Sequence, residues 1–207
     1  TNKFIFAPYD STVADAMVSI EVYRQLGSLI STAHSKASAN PRTYGNEAFE
    51  SELAVIESKY NTCAYADAEI PAAVIELKGI LNRYLLADAK VLATDENPID
   101  VTALVVGDAG FDNDSFASWT TSPNPGMGYG SAEFWNTNYN IYQTLYGMPA
   151  GTYRLQTRGF YRYGYQPDNV TARDNGTLQR NAKLYISHSG GITATADVMA
   201  ISDDLST

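Results

Sequence analysis

Residues 132–163 read Ala-Glu-Phe-Trp-Asn-Thr-Asn-Tyr-Asn-Ile-Tyr-Gln-Thr-Leu-Tyr-Gly-Met-Pro-Ala-Gly-Thr-Tyr-Arg-Leu-Gln-Thr-Arg-Gly-Phe-Tyr-Arg-Tyr. Ile141, Gln143 and Leu145 fall two residues apart, on one face of a strand. Tyr153, Leu155, Thr157 and Gly159 repeat the pattern, with Arg154, Gln156, Arg158 and Arg162 opposite. A period of two rich in aromatic and β-branched residues marks a half-buried antiparallel strand. Between the two runs, Gly147-Met148-Pro149-Ala150-Gly151 supplies one fixed φ and two positions where positive φ costs little. The stretch predicts a β-hairpin, and with it a β-sheet fold for the second half of the chain.

The run 141–155, followed by Gly-Phe-Tyr-Arg at 159–162, resembles the galactose-binding-like jelly-roll modules of secreted and surface proteins from Gram-negative gut anaerobes. Gly107-Asp108-Ala109-Gly110-Phe111-Asp112 with Trp119 is similar to the opening pattern of that family, at a slightly irregular spacing. The resemblance covers roughly residues 101–187. It implies a jelly-roll sandwich and an extracellular or cell-surface location. It also implies one of three roles: glycan binding, assistance to glycoside hydrolases, or spacing.

The chain of 207 residues allows one large or two small domains. At 44% hydrophobic and 18% charged it has enough apolar side chain for packed cores. A net charge of −9 argues against nucleic acid or an anionic membrane surface as partner. Fifteen Tyr suit either β-sandwich faces or sugar-binding platforms. Cys63 is the one cysteine, so no internal disulfide forms. No run approaches the ~20 apolar residues of a membrane-spanning helix, so no membrane insertion is expected. The start Thr1-Asn2-Lys3 fits a trimmed mature chain or a recombinantly cut one.

Before the β-rich half, the pattern is helical. Residues 1–9 read as an extended lead-in. Val13, Ala16, Met17, Ile20, Tyr23, Leu26, Ile30 and Ala33 recur every three or four residues, so a helix is expected from Asp10 to just before Asn40-Pro41. Phe49, Leu53, Ile56, Tyr60 and Cys63 form a second seam after the N-cap candidate Asn46, which would bury Cys63 as a small hydrophobe. Ile70, Val74, Leu77, Leu81, Tyr84 and Val91 form a third, from about Ala68 to Leu92, with Pro71 in the first turn and Asp88 interrupting the seam. Residues 1–94 are therefore expected to form an antiparallel three-helix bundle.

Residues 93–100 read as a linker and 100–207 as the sandwich. Val101–Val106 is expected to be its first strand, 122–130 a loop dense in Pro and Gly, 164–181 a polar loop, and 181–186 a further strand. Residues 192–207 fit a strand, a short helix or a loop. About five strands stand where a jelly roll has eight, so the sandwich is expected to be incomplete at its C-terminal side, with the remainder of a longer parent chain supplying the rest. The fold class is α+β, multi-domain.

No nucleophile, zinc, phosphate-loop or dinucleotide motif surrounds His34 or His188, so no catalytic residue is expected. Asp108, Asp112 and Asp114 form an acidic turn without EF-hand spacing, so solvated loop carboxylates are expected, with structural calcium as the alternative. Trp119, Tyr129, Trp135, Tyr139, Tyr163 and Tyr165 lie in or near loops, with Asn136 and Arg162 available for hydroxyl groups. An aromatic face with a few placed polar groups is the usual recipe for a carbohydrate site. The expected function is a non-catalytic secreted or surface module that binds a glycan or a surface protein. A structural spacer or protein-assembly module is the alternative, and solvent exposure of Trp119, Trp135 and Tyr163 separates the two.

Overall fold

A computed structural model describes residues 11–112, 116–128, 130–162, 164–188 and 191–200. It divides into two compact units, Thr1–Gly151 and Thr152–Thr207. Helices and small antiparallel sheets occur together, so the class is α+β.

The first unit opens with α1 (Ser11–Ala39) and α2 (Asn46–Asn61). Pro41 follows the end of α1 closely, as the restriction on residues before proline requires. Gly45 takes a φ of 82° and is the N-cap of α2, so Asn46 is the first helical residue instead of the cap. A 3-10 turn, Asp67–Glu69, leads into α3 (Ile70–Leu85), with Pro71 in its first turn. Glu69 accepts a hydrogen bond from the Ala66 backbone at 2.8 Å and closes that entry.

Leu26, Ile30 and Ala33 of α1, Phe49, Leu53 and Ile56 of α2, and Ile70, Leu77, Ile80, Leu81, Tyr84 and Leu85 of α3 make one buried cluster. The Phe49 and Tyr84 rings stack at 4.4 Å within it. Among the described residues, three expected seam members fall outside it, Ile20, Cys63 and Val91. Ile20 is exposed. Cys63 is also exposed, with a φ of 52°, because α2 ends at Asn61 and the heptad spacing runs past the helix it was counted on.

The expected single helix to Leu92 breaks at Leu86 into α3 and α4 (Ala87–Leu92). Beyond the break, Asp88 accepts hydrogen bonds from the Thr43 and Tyr44 backbones at 2.9 and 3.0 Å. A carboxylate that would have interrupted the core seam instead ties down the α1–α2 loop. Val91, the last expected seam residue, is exposed on α4.

The expected strand Val101–Val106 is a helical turn, α5 (Thr102–Val105). Asp100 accepts from the Thr102 backbone at 2.8 Å, and Leu104 packs against the helical core. Local capping and that contact override the strand propensity of the valines.

β1 (Thr120–Ser122) pairs antiparallel with β4 (Asn140–Tyr142), Thr121 opposite Ile141. Within that stretch of chain, β2 (Gly126–Gly128) pairs antiparallel with β3 (Ser131–Glu133). Part of the expected Pro/Gly loop at 122–130 is therefore strand. Pro123 and Pro125 lie just outside β2, so neither removes a ladder donor from it.

The hairpin expected across 141–155 does not form: β4 ends at Tyr142, and among the described residues no strand or helix includes 143–160. Other contacts hold that segment. The Gln143 amide donates to the Gly107 carbonyl at 2.5 Å and accepts from the Gly107 N–H at 3.1 Å. Asn82 of α3 donates to the Tyr146 carbonyl at 2.9 Å. Gly147, at φ 63°, lies so close to α3 that a Cβ there would stand 2.5 Å from the Gly79 Cα. The Gly-Met-Pro-Ala-Gly bend docks on a helix instead of joining two strands.

The second unit contains α6 (Gln166–Asp174), β5 (Lys183–His188) and β6 (Gly191–Asp197). β5 and β6 pair antiparallel, and Tyr161 forms a single parallel bridge with Ala200. α6 corrects the expected polar loop at 164–181. Asp168 accepts from the Tyr165 N–H at 3.2 Å, and the buried Asn169 amide donates to the Tyr165 carbonyl at 2.8 Å. Together they start a helix whose apolar content is too low to announce it. Ala182 and Ala200 are the buried hydrophobic residues described in this unit, whereas Tyr153, Leu155, Phe160, Ile192 and Met199 are exposed.

Candidate functional site

The β1–β4 and β2–β3 pairings bring the segment after β1 close to the segment after β3. Between them lies a shallow cleft of about 490 Å³, lined by Pro123, Asn124, Glu133, Phe134, Trp135 and Thr137, among others. Trp135 is 64% exposed. Phe134 and Tyr139 stack at 4.2 Å with an angle of 12° between rings, which stiffens the loop that carries Trp135. Asn136 follows at a φ of 45°, a left-handed conformation that Asn tolerates better than most residues and that reverses the chain there. On the opposite wall, Asn124 Oδ1 accepts from the Thr121 hydroxyl at 2.7 Å, which orients the amide and leaves its Nδ2 to donate.

The other expected site residues are placed differently. Trp119 is half-buried; its Nε1–H donates to the Asp108 carbonyl at 3.1 Å, and its ring lies 5.0 Å from that of Phe111. These contacts tie Trp119 to Asp108 and Phe111. Tyr139 belongs to the Trp135 loop but spends one ring face on Phe134. Tyr165 is 73% exposed at the start of α6, and Arg162 is exposed in the same unit. Tyr129, Tyr163 and Asp114 lie outside the described residues. The sequence thus pointed to Trp135, Asn136 and Tyr139 together, but missed Pro123, Asn124, Glu133 and Thr137. Glu133 and Thr137 flank the tryptophan two residues away in sequence, whereas Pro123 and Asn124 reach it through the pairings of β1 with β4 and of β2 with β3.

The acidic turn has a local structural task. Asp108 Oδ1 accepts from the Asp112 N–H at 3.0 Å, with Asp108 at a φ of 47°. Among the described residues, no group of three or more His, Cys, Asp or Glu side chains is arranged to hold a metal ion.

In the helices, Tyr23 donates to the Tyr60 carbonyl at 2.9 Å and stacks on the Tyr60 ring at 5.0 Å. Burial, followed by a hydrogen bond with Cys63, pushes the Tyr23 phenol above its ordinary pKa. His34 of α1 pairs with Glu57 of α2. Both clusters join helices, and neither lines a cleft. No family model, curated protein or solved structure matches the chain.

Proposed function

We propose that this chain is a non-catalytic, secreted or cell-surface module that binds carbohydrate in the Trp135 cleft. In this reading a three-helix bundle supports a galactose-binding-like β region, as the likeness of residues 141–155 and 159–162 to that family suggests. One observation carries the reading: a mostly exposed tryptophan beside a cleft whose walls also present an amide, a carboxylate and a hydroxyl. The C–H face of a sugar packs on such a ring while the polar groups take its hydroxyls.

Titration with a panel of neutral and charged oligosaccharides, read by calorimetry, tests it. Dissociation constants of about millimolar to micromolar are expected for at least one member. Trp135→Ala should abolish binding with Tm unchanged, whereas Trp119→Ala should lower Tm. A panel without a single binder sinks the proposal.

A second reading, an assembly module, is favoured by the second unit, where among the described residues six large apolar or aromatic side chains stand exposed and the buried hydrophobic residues are two alanines. Here further strands of a jelly roll would cover the β5–β6 ribbon. The expected result is binding of a hydrophobic dye, abolished by Phe160→Ser with Ile192→Ser. A dye-silent native protein removes this reading.

A further inference from the structure

We infer that the Trp135 cleft selects sugars bearing a protonated amine over N-acetylated and carboxylated ones, an inference that rests on the carbohydrate reading above. From Val91 to Tyr153 the sequence contains no Lys, Arg or His, but it contains Asp95, Glu96, Asp100, Asp108, Asp112, Asp114 and Glu133. Every described residue that lines the cleft comes from this stretch, so among the described residues no cationic side chain lines it. The surrounding unit, Thr1–Gly151, carries eight Lys and Arg against eighteen Asp and Glu, a net charge of −10.

Glu133 supplies the specific contact. Its side chain lines the cleft next to Phe134 and Trp135, and among the described residues it pairs with no protein group. An unpaired carboxylate beside an exposed tryptophan satisfies two requirements of an organic ammonium at once. The carboxylate accepts its N–H groups, and the face of the ring attracts its charge. The free amide donor of Asn124 then serves a neighbouring ring hydroxyl. A uronic acid in the same place would set its carboxylate against Glu133 within an acidic field, with no arginine or lysine among the described lining residues to receive it. N-acetylation removes the charge and leaves only stacking and neutral hydrogen bonds.

Calorimetric titration with length-matched oligomers of glucosamine, N-acetylglucosamine and glucuronate, in mildly acidic low-salt buffer where the amine is protonated, tests the inference. The amine oligomer should bind about tenfold more tightly than the N-acetyl form, the combined effect of one exposed ion pair and one cation–π contact. The uronate should bind more weakly still. Glu133→Gln should bring the amine-to-acetyl ratio close to one, and Trp135→Ala should abolish amine binding.

Equal affinity for all three oligomers overturns the charge selection while leaving the carbohydrate reading intact. Tightest binding of the uronate, or an amine preference that survives Glu133→Gln, also overturns it. Amine binding that survives Trp135→Ala overturns it as well, because it is then general attraction to an acidic surface. Binding of none of the three, nor of any member of the wider panel, removes the carbohydrate reading and this inference together.

Discussion

The helical segment Ser11–Leu92 and the second unit, Thr152–Thr207, solve the burial problem with opposite success. In the first, Leu26, Leu53, Ile56, Ile70, Leu77 and Leu85 are almost wholly buried, and α3 packs on both α1 and α2. In the second, every residue of β6 is exposed and Leu155 is 47% open. A helix satisfies its own backbone, so a short apolar seam on each of three helices completes a core. A two-stranded ribbon satisfies one edge of each strand and covers neither face. A strand pattern in a sequence therefore states a need for neighbours, while a helical seam goes far towards supplying them.

The largest effect expected from this contrast comes from Leu77→Ala. Leu77 is fully buried in α3, and its truncation should cost about 3–5 kcal/mol in denaturant unfolding, with loss of helical circular dichroism. Leu155→Ala, removing a side chain of the same size from the second unit, should stay within about 0.5 kcal/mol. Equal costs would mean that Leu155 is covered in solution, and the contrast between the two regions would fail.

Gly147→Ala comes next, at about 2–3 kcal/mol. It forces a side chain into a left-handed conformation and against the Gly79 backbone 2.5 Å away. Its measure is Tm, with the amide exchange of Tyr146 and Gly147 as local readout. Substitution of Gly176, also at positive φ but with open space around its Cβ position, isolates the conformational part of the cost. Equal losses at the two positions would show that the close approach to α3 contributes nothing.

These two positions also mark what the sequence revealed and what it hid. Leu77 was legible because its neighbours in the core recur along α3 itself, at three and four residues. Gly147 was legible as a bend but not as a docking point, because its partner Gly79 is 68 residues away in sequence and carries no side chain to advertise the contact. Gln143 was misread for a similar reason. Its place in a two-residue alternation resembled a strand, while its amide was committed to Gly107. Asp88 looked like a flaw in a seam and serves to hold the α1–α2 loop. In the candidate site, Trp135 stood out by residue type, whereas Asn124 gained meaning only from the pairings of β1 with β4 and of β2 with β3. Local periodicity survives in a single sequence; pairing partners do not.

Gln143→Ala should cost about 1–2 kcal/mol, since it leaves the half-buried Gly107 N–H and carbonyl without their shared partner. Chemical denaturation measures the loss. Gln143→Glu should be nearly as damaging, because a carboxylate cannot donate to the Gly107 carbonyl. A neutral result for both would return 141–155 to the open hairpin expected from its alternation.

The smallest effect belongs to the exposed ribbon of the second unit. Lys183 on β5 donates to Asp197 on β6 at 2.7 Å, across a directly opposed pair. That hydrogen bond and the lysine charge, aided by Arg180, hold the Asp197 carboxyl below its ordinary pKa. A carboxyl whose pKa is depressed by folding stabilises the folded form above its unfolded value and ceases to do so as pH falls through the folded one. The ribbon should therefore be insensitive to pH near neutrality and loosen only in acid, beneath the ordinary aspartate range. Proton exchange at Leu184 and Ala196, measured along an acid titration, follows it. Lys183→Met should raise the Asp197 titration towards its ordinary value and flatten the acid step in exchange, leaving the helical core of the first unit unaffected. Because the pair is exposed, salt should weaken the step in the same direction. An acid step unchanged by both substitution and salt would show that backbone pairing alone holds β5 to β6. The second unit would then be more self-sufficient than its uncovered faces indicate.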